Sequence, residues 1–192
     1  MFPREGEVIS VDITSEHRIR AEEVLMTLPV YRGSHRGGAA NQVGVLGEVV
    51  ARETLELLGI SMTPIFKTTH DFELRTGRRV EVKTKDRTVP PRPDYECSIP
   101  QYNHDHQDVD YYVFVSLERS RDRNDDALDR FVKAHIVGAA NRRLMAVKGV
   151  NRATGETDPR NGTTFWTACR NIYIRDLVDL ETAVSHWKRA GA

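Results

Sequence analysis

The stretch His70-Asp71-Phe72-Glu73-Leu74-Arg75-Thr76-Gly77-Arg78-Arg79-Val80-Glu81-Val82-Lys83 holds two short alternating segments around a Gly-containing turn. This pattern reads as a β-hairpin, and the loop length decides what the hairpin presents. A two-residue loop at Thr76-Gly77 pairs Phe72 with Glu81 and mixes an aromatic ring and a carboxylate on one face. A three-residue loop, Arg75-Thr76-Gly77, pairs Phe72 with Val80 and Asp71 with Glu81. That choice keeps each face uniform and puts Gly at the left-handed position such loops require. The three-residue loop is therefore the expected one. It sends Phe72, Val80 and Val82 to the core and leaves Asp71, Glu81 and Lys83 together on the other face.

Directly opposed residues of a hairpin have Cβ atoms about 4.5–5.5 Å apart, and like charges at that separation destabilise the pair. A hard divalent cation held by oxygen ligands would relieve the Asp71–Glu81 repulsion, and Mg²⁺ favours one or two carboxylates completed by water and phosphate. Lys83, two residues beyond Glu81, adds a positive charge able to orient an attacking water or stabilise a pentavalent phosphorus. The same pattern also suits the solvated face of an edge hairpin, where polar-out alternation is ordinary.

Outward from the hairpin, Gln42–Leu58 is the strongest helix, with Asn41 as its N-cap, Val43, Leu46, Val50 and Leu57 as its buried stripe, and Gly59 as its stop. Glu7–Ile13 alternates as a strand, and Ser15 caps a helix to about Leu28 with Ile19, Val24 and Leu28 apolar. Between them, residues 29–40 form a loop with Arg32, His35 and Arg36 and no acid. Ile65–Leu74 and Arg78–Lys85 are the hairpin strands. A Pro-rich connection, VPPRPDYECSIPQYNHDHQD, follows; it is long for a compact domain. Tyr111–Leu117 is apolar nearly throughout, as a strand buried on both faces would be. Phe131–Val137 reads as a strand, Ala139–Val147 as a short helix, residues 148–162 as a polar loop and Phe165–Ile174 as a strand. A closing helix runs from about Asp176 to Arg189 on Leu177, Leu180, Val184 and Trp187. Interleaved helices and strands place the chain in the α/β or α+β class, with a mixed central β-sheet flanked by helices.

The composition limits the function. With 28 basic and 28 acidic residues the formal net charge is zero, which argues against coating nucleic acid through bulk charge. The hairpin region is nevertheless basic: Arg75 to Arg92 holds seven basic residues against Glu81 and Asp86. No apolar run approaches the ~20 residues a membrane helix needs, so a soluble, intracellular (cytoplasmic) protein without a membrane partner is expected. Cys97 and Cys169 are too few and too far apart to imply a disulfide framework or a zinc site. His104, Asp105, His106, Asp108 and Asp110 form a second polar cluster, readable as a solvated loop or as transition-metal ligands.

Asp71 followed by Glu81-Val82-Lys83 on the next strand resembles the D…(D/E)-x-K signature of the PD-(D/E)xK, or restriction-endonuclease-like, nuclease superfamily. Gly47-Glu48 resembles the acid-bearing first helix of many members, and Tyr111–Leu117 fits the third strand of an αβββαβ core. The match spans roughly Gln42 to Leu117. His70 stands where the family name has Pro. The literal Pro93-Asp94 pair has no (D/E)-x-K at a usable distance. Gln107 and Tyr111 satisfy a Q-x-x-x-Y spacing that belongs on a helix, whereas Tyr111 begins a strand, so that motif is set aside.

The resemblance implies one nuclease-like domain over residues 1–192. Its core would span about residues 42–147, with a strand-helix extension at 1–41 and a C-terminal strand-helix at 165–190. It implies Asp71 and Glu81 as metal ligands, the Val82 carbonyl as a backbone ligand, Lys83 as the catalytic lysine and Glu48 as an accessory acid, although Glu48 and Arg52 also suit an ordinary i, i+4 pair. Gln101, Lys85 and Arg36 are weaker candidates for substrate contact. The implied activity is Mg²⁺-dependent hydrolysis of phosphodiester bonds in DNA, endonucleolytic in character, with Mn²⁺ able to substitute. RNA also lies within the superfamily's range, and a homodimer is common among its duplex cutters. The alternative is a non-catalytic nucleic-acid-binding or assembly module that keeps the fold.

Overall fold

The structure is a computed structural model and describes residues 8–27, 38–65, 69–102, 107–123, 127–158, 162 and 164–189. Arg36, His104, Asp105 and His106 lie outside those residues.

The hairpin has the three-residue loop. Phe72–Leu74 (β3) pairs antiparallel with Arg79–Arg87 (β4), Phe72 opposite Val80 and Glu73 opposite Arg79. Leu74 N–H donates to the Arg78 carbonyl at 2.8 Å and Gly77 N–H to the Leu74 carbonyl at 2.8 Å. Gly77 sits at φ +76°, a conformation that costs glycine nothing. Asp71 lies one residue beyond the last pair of this ladder, its backbone N–H donating to the Val80 carbonyl at 3.0 Å. What differs is the setting, because β4 is an interior strand. The six-stranded mixed sheet runs β1-β7-β6-β4-β3-β2, with β1 at Ile9–Asp12, β2 at Met62–Pro64, β6 at Tyr111–Arg119 and β7 at Phe131–Asn141. β4 and β6 are parallel, Glu81 beside Tyr112 and Lys83 beside Phe114. Every other pairing in that sheet is antiparallel.

Helices cover one face of the sheet. Ser15–Thr27 (α1), Gly38–Leu57 (α2) and Leu180–Arg189 (α4) pack there. Val45, Leu46, Val49, Val50 and Leu55 of α2 bury against Val80, Val82, Val113 and Val115 in the main core. Each such side chain contributes about 1.5–3 kcal/mol by leaving water. α2 lies close to β4 because Gly47 has no side chain: a Cβ there would stand 2.0 Å from Thr84 Oγ1.

A second sheet of three strands covers the other face. Glu96–Pro100 (β5) pairs with Cys169–Tyr173 (β9), which pairs with Val150–Arg152 (β8). Between the sheets lies a smaller core of Ile99, Tyr112, Phe114, Val137, Met145 and Ile172. The third helix, Arg142–Lys148 (α3), closes one side, its Asn141 cap accepting from Leu144 N–H at 2.7 Å. No helix among the described residues is long and apolar enough to cross a membrane.

Several sequence expectations need correction. The Pro-rich connection contains β5, and the polar loop at residues 148–162 contains β8. The helix expected at Ala139–Val147 begins at Arg142, because β7 runs on to Asn141. α2 starts at Gly38, so Asn41 lies inside it, and Leu57 is 81% exposed rather than buried. Thr14, not Ser15, caps α1: its Oγ1 accepts from His17 N–H at 3.3 Å, and Thr14 N–H donates back to His17 Nδ1 at 3.0 Å. Ile19 is exposed, while His17 and Ala21 turn inward. Leu28 lies outside the described residues.

Candidate active site

Glu81 and Lys83 share the face of β4 that the small sheet covers, and Glu81 is 5% exposed. A solvated edge-strand face is thereby ruled out for this carboxylate. Lys83 Nζ donates to Glu81 Oε1 at 2.5 Å, and Gln107 Nε2 donates to the same oxygen at 2.7 Å. Glu81 Oε2 is buried with no hydrogen-bond partner among the described residues, as are Gln107 Oε1 and the Tyr112 hydroxyl. Buried polar atoms without partners are uncommon in folded proteins, and three in one place call for an occupant.

Asp71 enters from the end of β3, where the β3–β4 ladder stops. Its backbone N–H donates to the Val80 carbonyl at 3.0 Å, and its Oδ2 accepts Val82 N–H at 2.7 Å. Within one strand residue the N–H and C=O leave on the same side. The Val82 carbonyl is therefore on the edge of β4 that faces Asp71. Glu48 comes from the helical side, carried in by the tight Gly47–Thr84 contact.

The electrostatics show that these groups form one cluster. Burial pushes the Glu48 carboxyl up to about 7, with the Glu81 charge adding to the rise and Lys83 opposing it. Asp71 is held well above the usual carboxylate range by burial first, then by the charges of Glu48 and Glu81; the Val82 N–H and Lys83 pull the other way. Three carboxylates against one ammonium leave two negative charges, which one divalent cation would balance. The donor set is all oxygen, as Mg²⁺ and Mn²⁺ prefer, and Glu81 Oε2 is a buried acceptor without a donor. The residues fit such an ion. Among the described residues, though, no three His, Cys, Asp or Glu groups are drawn into one ligating cluster. Lys83 and Val82 N–H each hold one carboxylate oxygen, Glu81 Oε1 and Asp71 Oδ2, which leaves Glu81 Oε2 as the oxygen open to a cation.

Other candidates fall elsewhere. Lys85 Nζ donates to the Glu96 carbonyl at 2.9 Å, and burial lowers its pKa. It fastens the small sheet to the large one. Gln101 is exposed at the end of β5. Asp110 accepts from Arg78 at 2.6 Å and from Arg79 N–H at 2.9 Å, and Asp108 pairs with Arg79 and Arg142. These two acids of the His104–Asp110 cluster are bound by arginines. Sequence reasoning missed Gln107 and Tyr112. Tyr111 does begin a strand, which was the ground for setting the Gln-Tyr spacing aside, but parallel pairing with β4 brings the approach to that strand against Glu81. No protein-family model matches the chain, and no curated protein matches it in sequence.

Proposed function

We propose that the chain is a Mg²⁺-dependent nuclease that hydrolyses phosphodiester bonds in DNA, endonucleolytically, with Mn²⁺ able to substitute. The observation that carries this reading is the meeting of Glu48, Asp71 and Glu81 with Lys83, with Glu81 Oε2 buried and unpartnered. The succession of α2, the β3–β4 hairpin and β6 supports a restriction-endonuclease-like core. Asp71, Glu81 and the Val82 carbonyl would hold the cation, with Glu48 as the accessory acid. When bound there, a divalent cation supplies Lewis-acid polarisation of a phosphate and lowers the pKa of an attacking water.

The chain's own groups do the rest. Lys83, released from Glu81, offers Nζ to the negative charge that develops on the phosphoryl oxygens. Glu48, with a pKa near neutrality, is suited to take the proton lost by the attacking water. Water adds to phosphorus, the bond to the 3′-oxygen breaks, and the product carries a 5′-phosphate while the leaving oxygen is protonated from solvent.

The test is a cleavage panel of plasmid, linear, single-stranded and junction DNA with Mg²⁺ and with Mn²⁺. Lys83→Ala and Asp71→Asn should each lower cleavage by about a hundredfold or more without changing the fold. Equal cleavage by wild type and Lys83→Ala would sink the proposal. DNA binding with steep salt dependence and no turnover would instead favour a non-catalytic module.

A further inference from the structure

Two aromatic side chains stand in water at one end of the small sheet, unused by the site described above. Tyr102 is 54% exposed and Trp166 is 76% exposed. Rings of this size bury 150–250 Å² when they pack inward, so leaving both outside forgoes a large apolar gain. The strands that lead to them pair. Pro100 pairs with Cys169, and Gln101 N–H donates to the Ala168 carbonyl at 2.9 Å, so Tyr102 and Trp166 leave the ladder on adjoining chains. Trp166 also sits beside a pinned residue: Phe165 N–H donates to the Glu156 carbonyl at 2.9 Å, and the Phe165 carbonyl accepts Gly155 N–H at 2.8 Å.

Their position relative to the acid cluster follows from the chain. β5 begins where Lys85 and Arg87 both donate to the Glu96 carbonyl, near the far end of β4. It then leads back toward Gln107, which touches Glu81 at 2.7 Å. Tyr102 precedes Gln107 by five residues, and five residues span roughly 17 Å at most. Tyr102 therefore lies within that reach of Gln107, the residue that donates to Glu81.

We propose that Tyr102 and Trp166, with Gln101 next to Tyr102, form a stacking platform for unpaired bases, so that the substrate is single-stranded DNA or an unpaired end rather than intact duplex. This proposal rests on the nuclease reading for its chemistry. Every base offers a flat π-face once unpaired, and stacking on aromatic side chains is tolerant of sequence. A duplex hides those faces. The formal net charge is zero, so bulk attraction to phosphate is weak and stacking must supply much of the hold. Exposed Trp and Tyr also anchor protein partners; the nuclease reading favours nucleic acid here.

The molecule carries its own reporter. The second of its two tryptophans, Trp187, is 4% exposed and packs on Tyr111 at 4.9 Å, so fluorescence quenching by a ligand in solution reports on Trp166. The full chain, in chelator so that nothing is cut, is titrated with oligothymidylate, a blunt hairpin duplex and an abasic strand. Oligothymidylate should quench strongly and the other two weakly. By anisotropy of a labelled strand, Tyr102→Ala and Trp166→Ala should each bind at least about fivefold more weakly, with unchanged melting temperatures. Equal affinity for strand and duplex, or strand binding indifferent to both substitutions, overturns the platform. Stacking without cleavage of any nucleic acid under Mg²⁺ or Mn²⁺ supports the platform and overturns the nuclease reading alone. Cleavage of duplex and strand alike, undiminished in Trp166→Ala, overturns the platform alone.

Discussion

Glu48→Gln should make the protein more stable at pH 8 when no divalent cation is supplied. The Glu48 carboxyl is pushed from 4.5 to about 7 in the folded protein, chiefly by burial. A raised acid holds its proton in the folded chain at pH values where the unfolded chain has lost it. Between pH 4.5 and about 7 the folded state therefore binds more protons, and stability falls as pH rises through that window. Above it the full penalty applies. At 1.36 kcal/mol per unit, the shift corresponds to about 3 kcal/mol. Gln keeps the shape and cannot ionise, and it also relieves Asp71, whose carboxyl Glu48 helps to raise. For a chain of this size about 3 kcal/mol is roughly 6–12 °C in melting temperature. The assay is a thermal melt of both proteins in chelator from pH 4.5 to pH 8. Wild type should lose more stability across the window than Glu48→Gln, in which Asp71 is still raised by burial, and the variant should melt higher at pH 8. Mg²⁺ should then narrow the gap: at 100 times Kd an ion binding only the folded state adds about 2.7 kcal/mol, and the variant should gain less. A variant that melts no higher than wild type at pH 8 in chelator, with a parallel pH profile, refutes the reasoning.

Gly47→Ala should cost about 1–3 kcal/mol in urea unfolding: the new Cβ would meet Thr84 Oγ1 at 2.0 Å and Cγ2 at 2.7 Å, and Thr84→Ala should recover part of the loss. Glu96→Ala should cost about 1–3 kcal/mol, because Glu96 is 4% exposed and removing it takes one of two carboxylates from Arg152, now at 2.5 Å, and the acceptor from Asn171, at 2.7 Å; chemical denaturation reads this directly. Gln107→Leu should keep the fold, since Gln107 Oε1 already lacks a partner, yet lower cleavage about ten- to a hundredfold by loosening Glu81; unchanged cleavage rates would remove Gln107 from the site.

What could be read from the sequence was local. Gly77 and the alternation around it specify the hairpin register, because a slip by one residue would turn Phe72 and Val80 outward. Tyr111–Leu117 announces a doubly buried strand by its unbroken apolar run. The second sheet left no such trace. β5 is bracketed by Pro93 and Pro100, its sequence ECSIP has no period, and its partner β9 lies some seventy residues away. Without it, Lys83, Lys85 and Arg87 read as one basic surface stripe. Under it they part company: Lys83 belongs to the acid cluster, while Lys85 and Arg87 hold the Glu96 carbonyl. The Gln107 contact was hidden for the same kind of reason, since it depends on β4 and β6 running parallel side by side.

The second sheet contributes no acid to the site, yet the chemistry depends on it. On an edge hairpin in water, Asp71 and Glu81 would be solvated, their repulsion damped and their pKa values ordinary. Placing β4 in the interior, with α2 on one side and β5-β9-β8 on the other, removes that water. Desolvation is the largest cause of the rise at both Glu48 and Asp71, ahead of the neighbouring charges. It is also what leaves Glu81 Oε2 buried without a donor. A cation bound here gains from relieving these deficits, which a solvated pair of acids would not offer. The Glu96–Arg152–Asn171 network that braces the small sheet would therefore support the proposed cation site without supplying a ligand to it. Glu96→Gln, which keeps the Asn171 contact but weakens the tie to Arg152, should loosen the sheet and weaken Mg²⁺ binding together. If melting shows the sheet loosened while Mg²⁺ affinity is unchanged, burial is not what makes the acids demand a cation, and the charge cluster alone suffices.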